Sequence, residues 1–493
     1  MTVILGIIAV YMLTMLYIGY RAKKSVKSSA DYFIGGSRFG AVLTAIAHQA
    51  AGLSGWLFIA WPQQVAGSGM GAIWTAFSSG FAPFINFFVM AKRVARFTLM
   101  TGARSFIDLI EARYYDEDRK VLRAVSTVII AISITVYMSS QLMAAGTTFQ
   151  AVLGLDYRVS VLIGAVVVIL YTSAGGLLAV AWTDFVQGML MIFAVLVGLF
   201  VAFGNGGFNS LMDQVAAVDP ALTSAWINPI TIVGLLSAGW LGYMGQPQIV
   251  QMFMGMKEPR SAGKGAAIAG VTGVFLLFGT FVVNLWCLTI FPGSENTSTN
   301  YIQMIAQYTP RFLVGIVTAA ILAAVMSSAD ALLHVATTAV TQDFYNKILK
   351  KGQATDRQVL LVARISSVVI GIFAIYIAFN PFDSILWVNW WAWGGLSVFA
   401  PILILGFYWK RATREGALVS MIVGFVAVYA WYQAGLNTTL HYTFVAFTVT
   451  AVVLVVVSLM TKEPPARIQE MVTQLNRKDS EPEKEEAACR TSM

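Results

Sequence analysis

Apolar stretches of roughly twenty residues recur along this chain, each long enough to cross the hydrocarbon core of a bilayer as a helix. About thirteen of them centre on residues 2–20, 41–63, 69–91, 124–148, 158–177, 182–203, 230–254, 265–291, 312–344, 360–379, 384–408, 416–434 and 441–461. At membrane depth no water pairs the backbone, so every N–H and C=O must bond within the protein, which leaves helices or closed barrels. Runs of this length point to helices, and the expected fold class is an all-α polytopic membrane protein. Composition agrees: 58% of the 493 residues are hydrophobic and 11% charged, against about 25% charged in soluble domains. The first run, Thr2 to Tyr20, has no basic region before it and no small-residue cleavage site, so it is expected to be a retained span. Segment 312–344 starts at Thr309-Pro310, and its C-terminal end is expected to emerge into water.

Charge orients the segments. Arg21, Lys23, Lys24 and Lys27 follow the first span, and Lys92, Arg93, Arg96 and Arg104 follow the third. Further basic loops follow the seventh, ninth and eleventh. The opposite loops 203–225 and 293–309 carry no Lys or Arg. Positive loops stay cytoplasmic, which places the N-terminus outside and the C-terminus inside. The net charge of +8 has the same source and implies no nucleic-acid partner. Segment 104–120 is short, amphipathic and charged, and is expected to lie along the cytoplasmic membrane face. The polar tail, 462–493, is expected to be disordered.

One span is unlike the rest. Between Ala47 and Gln63 it carries His48, Gln49, Gly52, Ser54 and Gly55 in its middle. Irregular backbone at that depth is tolerated where it lines protein or a cavity, so a broken helix facing a binding site is expected; close packing through small residues is the alternative. The segment Ile230 to Gln251 resembles it, with Gly239, Gly242, Gly245, Gln246 and Pro247. Two interrupted spans in corresponding positions point to inverted five-helix repeats with a site between them.

Few side chains inside the spans could carry chemistry. Asp184 and Asp330 are intramembrane carboxylates, which usually face a cavity or a partner; a helix cap or a structural hydrogen bond is the plainer role. His48 and His334 suit core histidines better than ligands. Ser327 and Ser328 follow Ala323-Ala324: either small residues for packing, or adjacent hydroxyls plus a carbonyl one turn earlier for sodium, a hard ion that takes oxygen ligands. No HExxH, G-x-S-x-G, Cys/His metal spacing or Walker loop is present. This argues against an enzyme and for secondary transport without an organic cofactor.

The stretches DYFIGGSRFG, LSGW, VILYTSAGGLLAVAWTDFVQGMLMIFA, GWLGYMGQPQIVQMFM, ILAAVMSS and WKRATREGALVSMIVG resemble the sodium:solute symporter family, most closely its sodium/proline symporter branch. They run in family order from Asp31 to Gly424. The resemblance implies a LeuT-type core of two inverted five-helix repeats and sodium-driven uptake by alternating access. Its sodium site would map onto the backbone of Ala50, Leu53 and Ala324 and the hydroxyls of Ser327 and Ser328. Its substrate region would map onto Ser54, Trp56, Tyr137, Tyr243 and Pro247. Gln246 adjoins that region, and Trp240 lies one position from a family tryptophan. Asp184 matches an aspartate of the sodium path. Two positions depart from the branch. Gly52 stands where it has an aspartate, and Asp330 where it has a small polar residue. Asp330 shares a helix face with Ser327 and could restore the missing charge.

The expected organisation is a first span and loop (1–38), a ten-helix transport core (39–409), two C-terminal spans (410–461) and a tail. The expected function is sodium-coupled import of a small organic solute, proline or a related amino acid first, at the plasma membrane. A sodium- or proton-coupled monocarboxylate symporter is the runner-up, and a transporter-fold sensor or a passive channel the rivals from other classes. The expected partners are the solute, sodium and the lipid bilayer. If the charge asymmetry sets the topology, a cysteine at Ser294 will react with an impermeant thiol reagent in intact cells and one at Gly352 will not; the reverse labelling would overturn the orientation.

Overall fold

The structure is a computed structural model describing residues 2–116, 118–204 and 207–477. Helices make up nearly all of it. Among the described residues the only strand-like pairing is an isolated parallel bridge, Phe39 with Met256. Ten helices among the described residues are long and apolar enough to cross a membrane. One of these, Tyr157–Gly204, contains a break at Gly176, with φ +57 and ψ −153. The chain reverses there. Tyr171 Oη and Thr183 Oγ1 both donate to Asp330 Oδ2, at 2.7 and 3.2 Å, whereas a continuous helix would hold these residues about 18 Å apart along its axis.

Both interrupted spans are present. The first runs as Ala41–Leu53, leaves helical geometry at Ser54 and resumes through a π turn, Trp56–Ala60, into Trp61–Ser68. The second runs as Pro229–Trp240, passes through a 3-10 turn at Tyr243–Gly245 and resumes as Pro247–Met254. Gln246 is extended, as a residue before proline prefers, and Pro247 takes the first helical position, where its missing N–H has no partner to lose.

The helix Arg311–Thr338 belongs to the most enclosed of the long segments, Arg311–Leu349, 83% of whose most apolar stretch is buried. Small residues line it from Ala319 to Ala331 and let neighbouring backbones approach. Its continuation, Ala339–Leu349, becomes exposed at the end of the expected segment. Asp343 is still buried, and Phe344 is the first well-exposed residue.

Two expectations are corrected. The helix Phe106–Arg113 does not lie freely on the membrane face: Phe106, Ile107, Leu109, Ile110 and Arg113 are all buried. Arg113 donates to the carbonyls of Gly406 and Trp409, at the end of the helix Phe399–Tyr408. Arg123 pairs with Asp108 at 2.6 Å and with Glu111 and Asp343. Pairing a buried guanidinium with carbonyls or carboxylates offsets its desolvation, so the segment packs into the bundle end. The tail is helical over Ala466–Leu475, burying Ile468, Val472 and Leu475 on one face. Asn476 Nδ2 donates to the Phe407 carbonyl at 2.7 Å. The rest of the expected disordered tail, 478–493, lies outside the described residues.

A Cβ at Gly176 would sit 2.3 Å from the Tyr32 carbonyl oxygen, and its dihedrals are ones that only glycine adopts without strain of about 1–3 kcal/mol. Gly176→Ala is expected to lower the thermal midpoint by several degrees. Gly6→Ala, where a Cβ meets nothing within 4 Å, is expected not to. Equal midpoints for the two variants would contradict the reversal.

Candidate functional site

The first break exposes backbone groups that side chains from other helices satisfy. Ser54 has φ +57, a strained conformation for a residue with a Cβ. Its own Oγ accepts the Trp56 N–H at 3.1 Å, and the Gly55 N–H donates to Gln141 Oε1 at 2.9 Å. Ser327 Oγ bonds the carbonyls of Ala50 and Ala324, each at 3.0 Å. Ser328 Oγ bonds the Ala51 carbonyl at 2.8 Å. Four of the five residues expected around sodium therefore meet here in part: Ala50, Ala324 and Ser327 share one cluster of neutral oxygens, and Ser328 sits beside it. Leu53 ends the half-helix two residues beyond Ser328's partner. The oxygens fit a hard monovalent cation, which would take the carbonyl lone pairs these hydroxyl hydrogens hold.

Asp330 lies three residues past Ser327, fully buried. Its Oδ2 takes the two hydroxyl bonds from Tyr171 and Thr183, and the Asp184 carboxyl adjoins it. Asp184 is fully buried too, and neither carboxyl forms an ion pair among the described residues. Two adjoining carboxylates repel strongly where water is scarce, so the pair holds either a proton or a cation.

Beyond the break lies a cavity of about 40 Å³, a few waters' worth. Ser54, Trp56, Tyr137 and Tyr243, all expected from the sequence, line it. The Tyr243 ring packs against Trp393 at 5.1 Å and Tyr137 against the same indole at 6.1 Å, both edge-on. Trp393 is held by its Nε1–H bond to the Ala238 carbonyl, 3.0 Å. Among the described residues, no acidic or basic one other than His441 lines the cavity. A larger cleft between Phe200 and Pro310 is lined chiefly by apolar side chains, and Phe200 is 83% exposed; it offers little to orient a polar solute.

Three expected residues are placed elsewhere. Trp240 packs on Phe77 at 5.8 Å. Gln246 Nε2 bonds the carbonyls of Gly242 and Trp393, which ties the second break to the helix Ile385–Ser397. Pro247 starts the returning half-helix. His48 is a core histidine, its Nε2 facing Asn86 Nδ2 at 3.2 Å. His334 Nε2 meets the Phe33 carbonyl at 3.2 Å. The residues that sequence reasoning missed are Gln141, Asn389, Trp393 and His441. Gln141 and Asn389 are polar residues within long apolar segments, Trp393 is one of four tryptophans in Ile385–Ser397, and His441 opens the last span; such positions mark candidates without naming their partners.

A Cβ at Gly52 would lie 2.8 Å from Tyr243 Cε1. The tyrosine ring thus fills the space that a carboxylate at position 52 would need.

The model of the sodium:solute symporter family matches residues 32–424. A sodium/proline symporter of Salmonella typhimurium is 32% identical over 475 residues, covering 94% of each chain. The osmoregulated proline transporter OpuE of Bacillus subtilis is 32% identical over 469 residues, covering 93% of this chain and 94% of that one. Among solved structures, a sodium-coupled sialic acid symporter in a substrate-bound, outward-open state superposes with a TM-score of 0.77 at 20% identity, over 94% of this chain and 98% of that one. The likeness bears out the expected LeuT-type fold.

The contact between the two breaks is testable. Gly52→Asp is expected to destabilise by about 1–3 kcal/mol through overpacking on Tyr243, and Tyr243→Ala is expected to relieve most of it. A double-mutant cycle on thermal midpoints reads this coupling; strictly additive losses would show that the two positions do not touch.

Proposed function

Because the chain belongs to the sodium:solute symporter family, we propose that it imports proline, or a closely related amino acid, across the plasma membrane against its gradient by coupling to sodium. The observation that carries this is the cluster of Ala50, Ala324 and Ser327 oxygens beside a small aromatic cavity on the same interrupted helix. An ion held there would tie the half-helix Ala41–Leu53 to Arg311–Thr338. That fixes the backbone of Gly52 to Trp56, two to six residues beyond Ala50, which forms one wall of the cavity. Solute and ion then stabilise one arrangement of the same break, so each raises the affinity for the other. Rocking of the repeats around this fixed point would expose the cavity to either side.

In this reading the chain crosses the membrane about thirteen times, counting both interrupted segments and the reversal at Gly176. The N-terminus lies outside and the C-terminus in the cytoplasm. Ser328 and the Leu53 carbonyl complete the sodium shell once the Ala51 bond opens. Asp330 and Asp184 supply negative potential from the cytoplasmic side. The chain acts as a transporter rather than an enzyme, and needs no organic cofactor. A monocarboxylate is the second reading, favoured by one observation: no carboxylate lines the cavity to pair with a solute ammonium group. An imino acid instead presents its cation to the faces of Tyr137, Tyr243 and Trp393.

Purified protein in proteoliposomes is expected to accumulate proline above equilibrium under an inward sodium gradient, and to stop when the gradient is collapsed. Equilibration without accumulation would mean a passive channel, and binding without movement a sensor. Ser328→Ala is expected to raise the sodium concentration for half-maximal uptake about tenfold, or roughly 1.4 kcal/mol, with solute affinity at saturating sodium nearly unchanged. Asp330→Asn should also need more sodium. Unaltered sodium activation in both variants would remove the assignment.

A further inference from the structure

The cavity takes one wall from outside the expected ten-helix core. His441 stands at the start of the last span and caps the helix Tyr442–Met460, its Nδ1 accepting the Thr443 N–H at 3.2 Å. A ring nitrogen that accepts carries no hydrogen, so the ring hydrogen sits on Nε2. That Nε2 has no acceptor among the described residues, although the side chain is only 4% exposed. The ring is fixed in place. It packs edge-on to Trp390 at 4.7 Å, and the preceding Leu440 carbonyl accepts from Trp431 Nε1 at 3.0 Å. The imidazole lines the same cavity as Ser54 and Tyr137.

His441 is not alone in lacking an acceptor. Asn389 Nδ2 and Trp56 Nε1 line the cavity, are 4% and 8% exposed, and are equally unpaired. Asn389 stands with Tyr137 in the wall of the same cavity. Buried donors in native proteins nearly always have partners. Three donors around one small cavity, with no carboxylate in its wall, match a solute group that only accepts. A carboxylate does so, with about four lone-pair positions. Charge-assisted bonds of this kind are the strong ones.

We propose that His441 donates its Nε2–H to the carboxylate of the transported solute, so that the C-terminal pair of spans determines which end of the solute faces the outside. This rests on the cavity being the solute site, and it holds for an amino acid and a monocarboxylate alike.

The test compares acids with their amides, L-proline with L-prolinamide and propionate with propionamide, by thermal stabilisation of the full-length protein in detergent with sodium present. In the wild type at least one acid should stabilise about tenfold more potently than its amide. His441→Asn keeps a good helix cap but withdraws the donor from the cavity, and should abolish that preference. His441→Gln, whose amide nitrogen reaches further, should recover part of it. In uptake assays His441→Asn should raise the KM for proline about tenfold without changing sodium activation. A role confined to capping would leave the acid-over-amide ratio at its wild-type value in His441→Asn. That result, or a wild type that prefers neither acid, overturns the inference. Absent proline accumulation by the wild type counts against the proposed function alone, because the ratio is read without transport.

Discussion

A helix broken at membrane depth leaves backbone groups that lipid cannot satisfy, and each must find a partner from another part of the protein. At the first break those partners are the Ser327 and Ser328 hydroxyls on the carbonyls of Ala50 and Ala51, and the Gln141 amide oxygen on the Gly55 N–H. The surrounding arrangement depends on these bonds. They hold the half-helix Ala41–Leu53 against Arg311–Thr338 and set where the chain re-enters a helix. They also decide which backbone faces the cavity. The second break is held by analogous means: Asn86 Nδ2 reaches the Tyr243 carbonyl at 3.4 Å, and Gln246 bonds the Trp393 carbonyl.

Hydroxyl–carbonyl bonds suit such a place because they are exchangeable. A neutral hydrogen bond within the protein contributes a net of only about 0.5–1.5 kcal/mol, so an ion offering comparable interactions to the same oxygens can replace it. The buried carboxyls of Asp330 and Asp184 lie a turn and a neighbouring helix away. By contrast, the bundle end near Arg113 and Arg123 is held by charged groups packed together, which exchange far less readily. The flexible and the fixed parts of the molecule thus differ in the chemistry of their bonds.

Much of this was legible in the sequence. Gly52, Ser54 and Gly55 in one apolar run, and Gly242, Gly245 and Pro247 in another, mark both breaks, since helix-poor residues have little other reason to sit at that depth. The adjacent Ser327 and Ser328 stood out on the same grounds. Gln141, Asn389 and His441 did not. Their roles depend on partners dozens to hundreds of positions away, and no local pattern encodes such pairings. Ser328 meets Ala51 rather than the backbone near Leu53, a register set by packing. The helix at Ala466–Leu475 was missed because four large apolar residues in a polar stretch, Ile468, Met471, Val472 and Leu475, carry too little signal without the surface they cover. At position 52 the departure from the branch was visible, but not that the Tyr243 ring fills the space.

The central claim is that sodium binds by joining the first break to the helix Arg311–Thr338. Hydrogen–deuterium exchange of the purified protein in sodium against an equal concentration of potassium tests it most directly. Sodium should slow exchange in peptides covering residues 47–58 and 320–331 together, and leave the remote helix Ala466–Leu475 unchanged. Exchange at both segments that is indifferent to which cation is present would contradict the account.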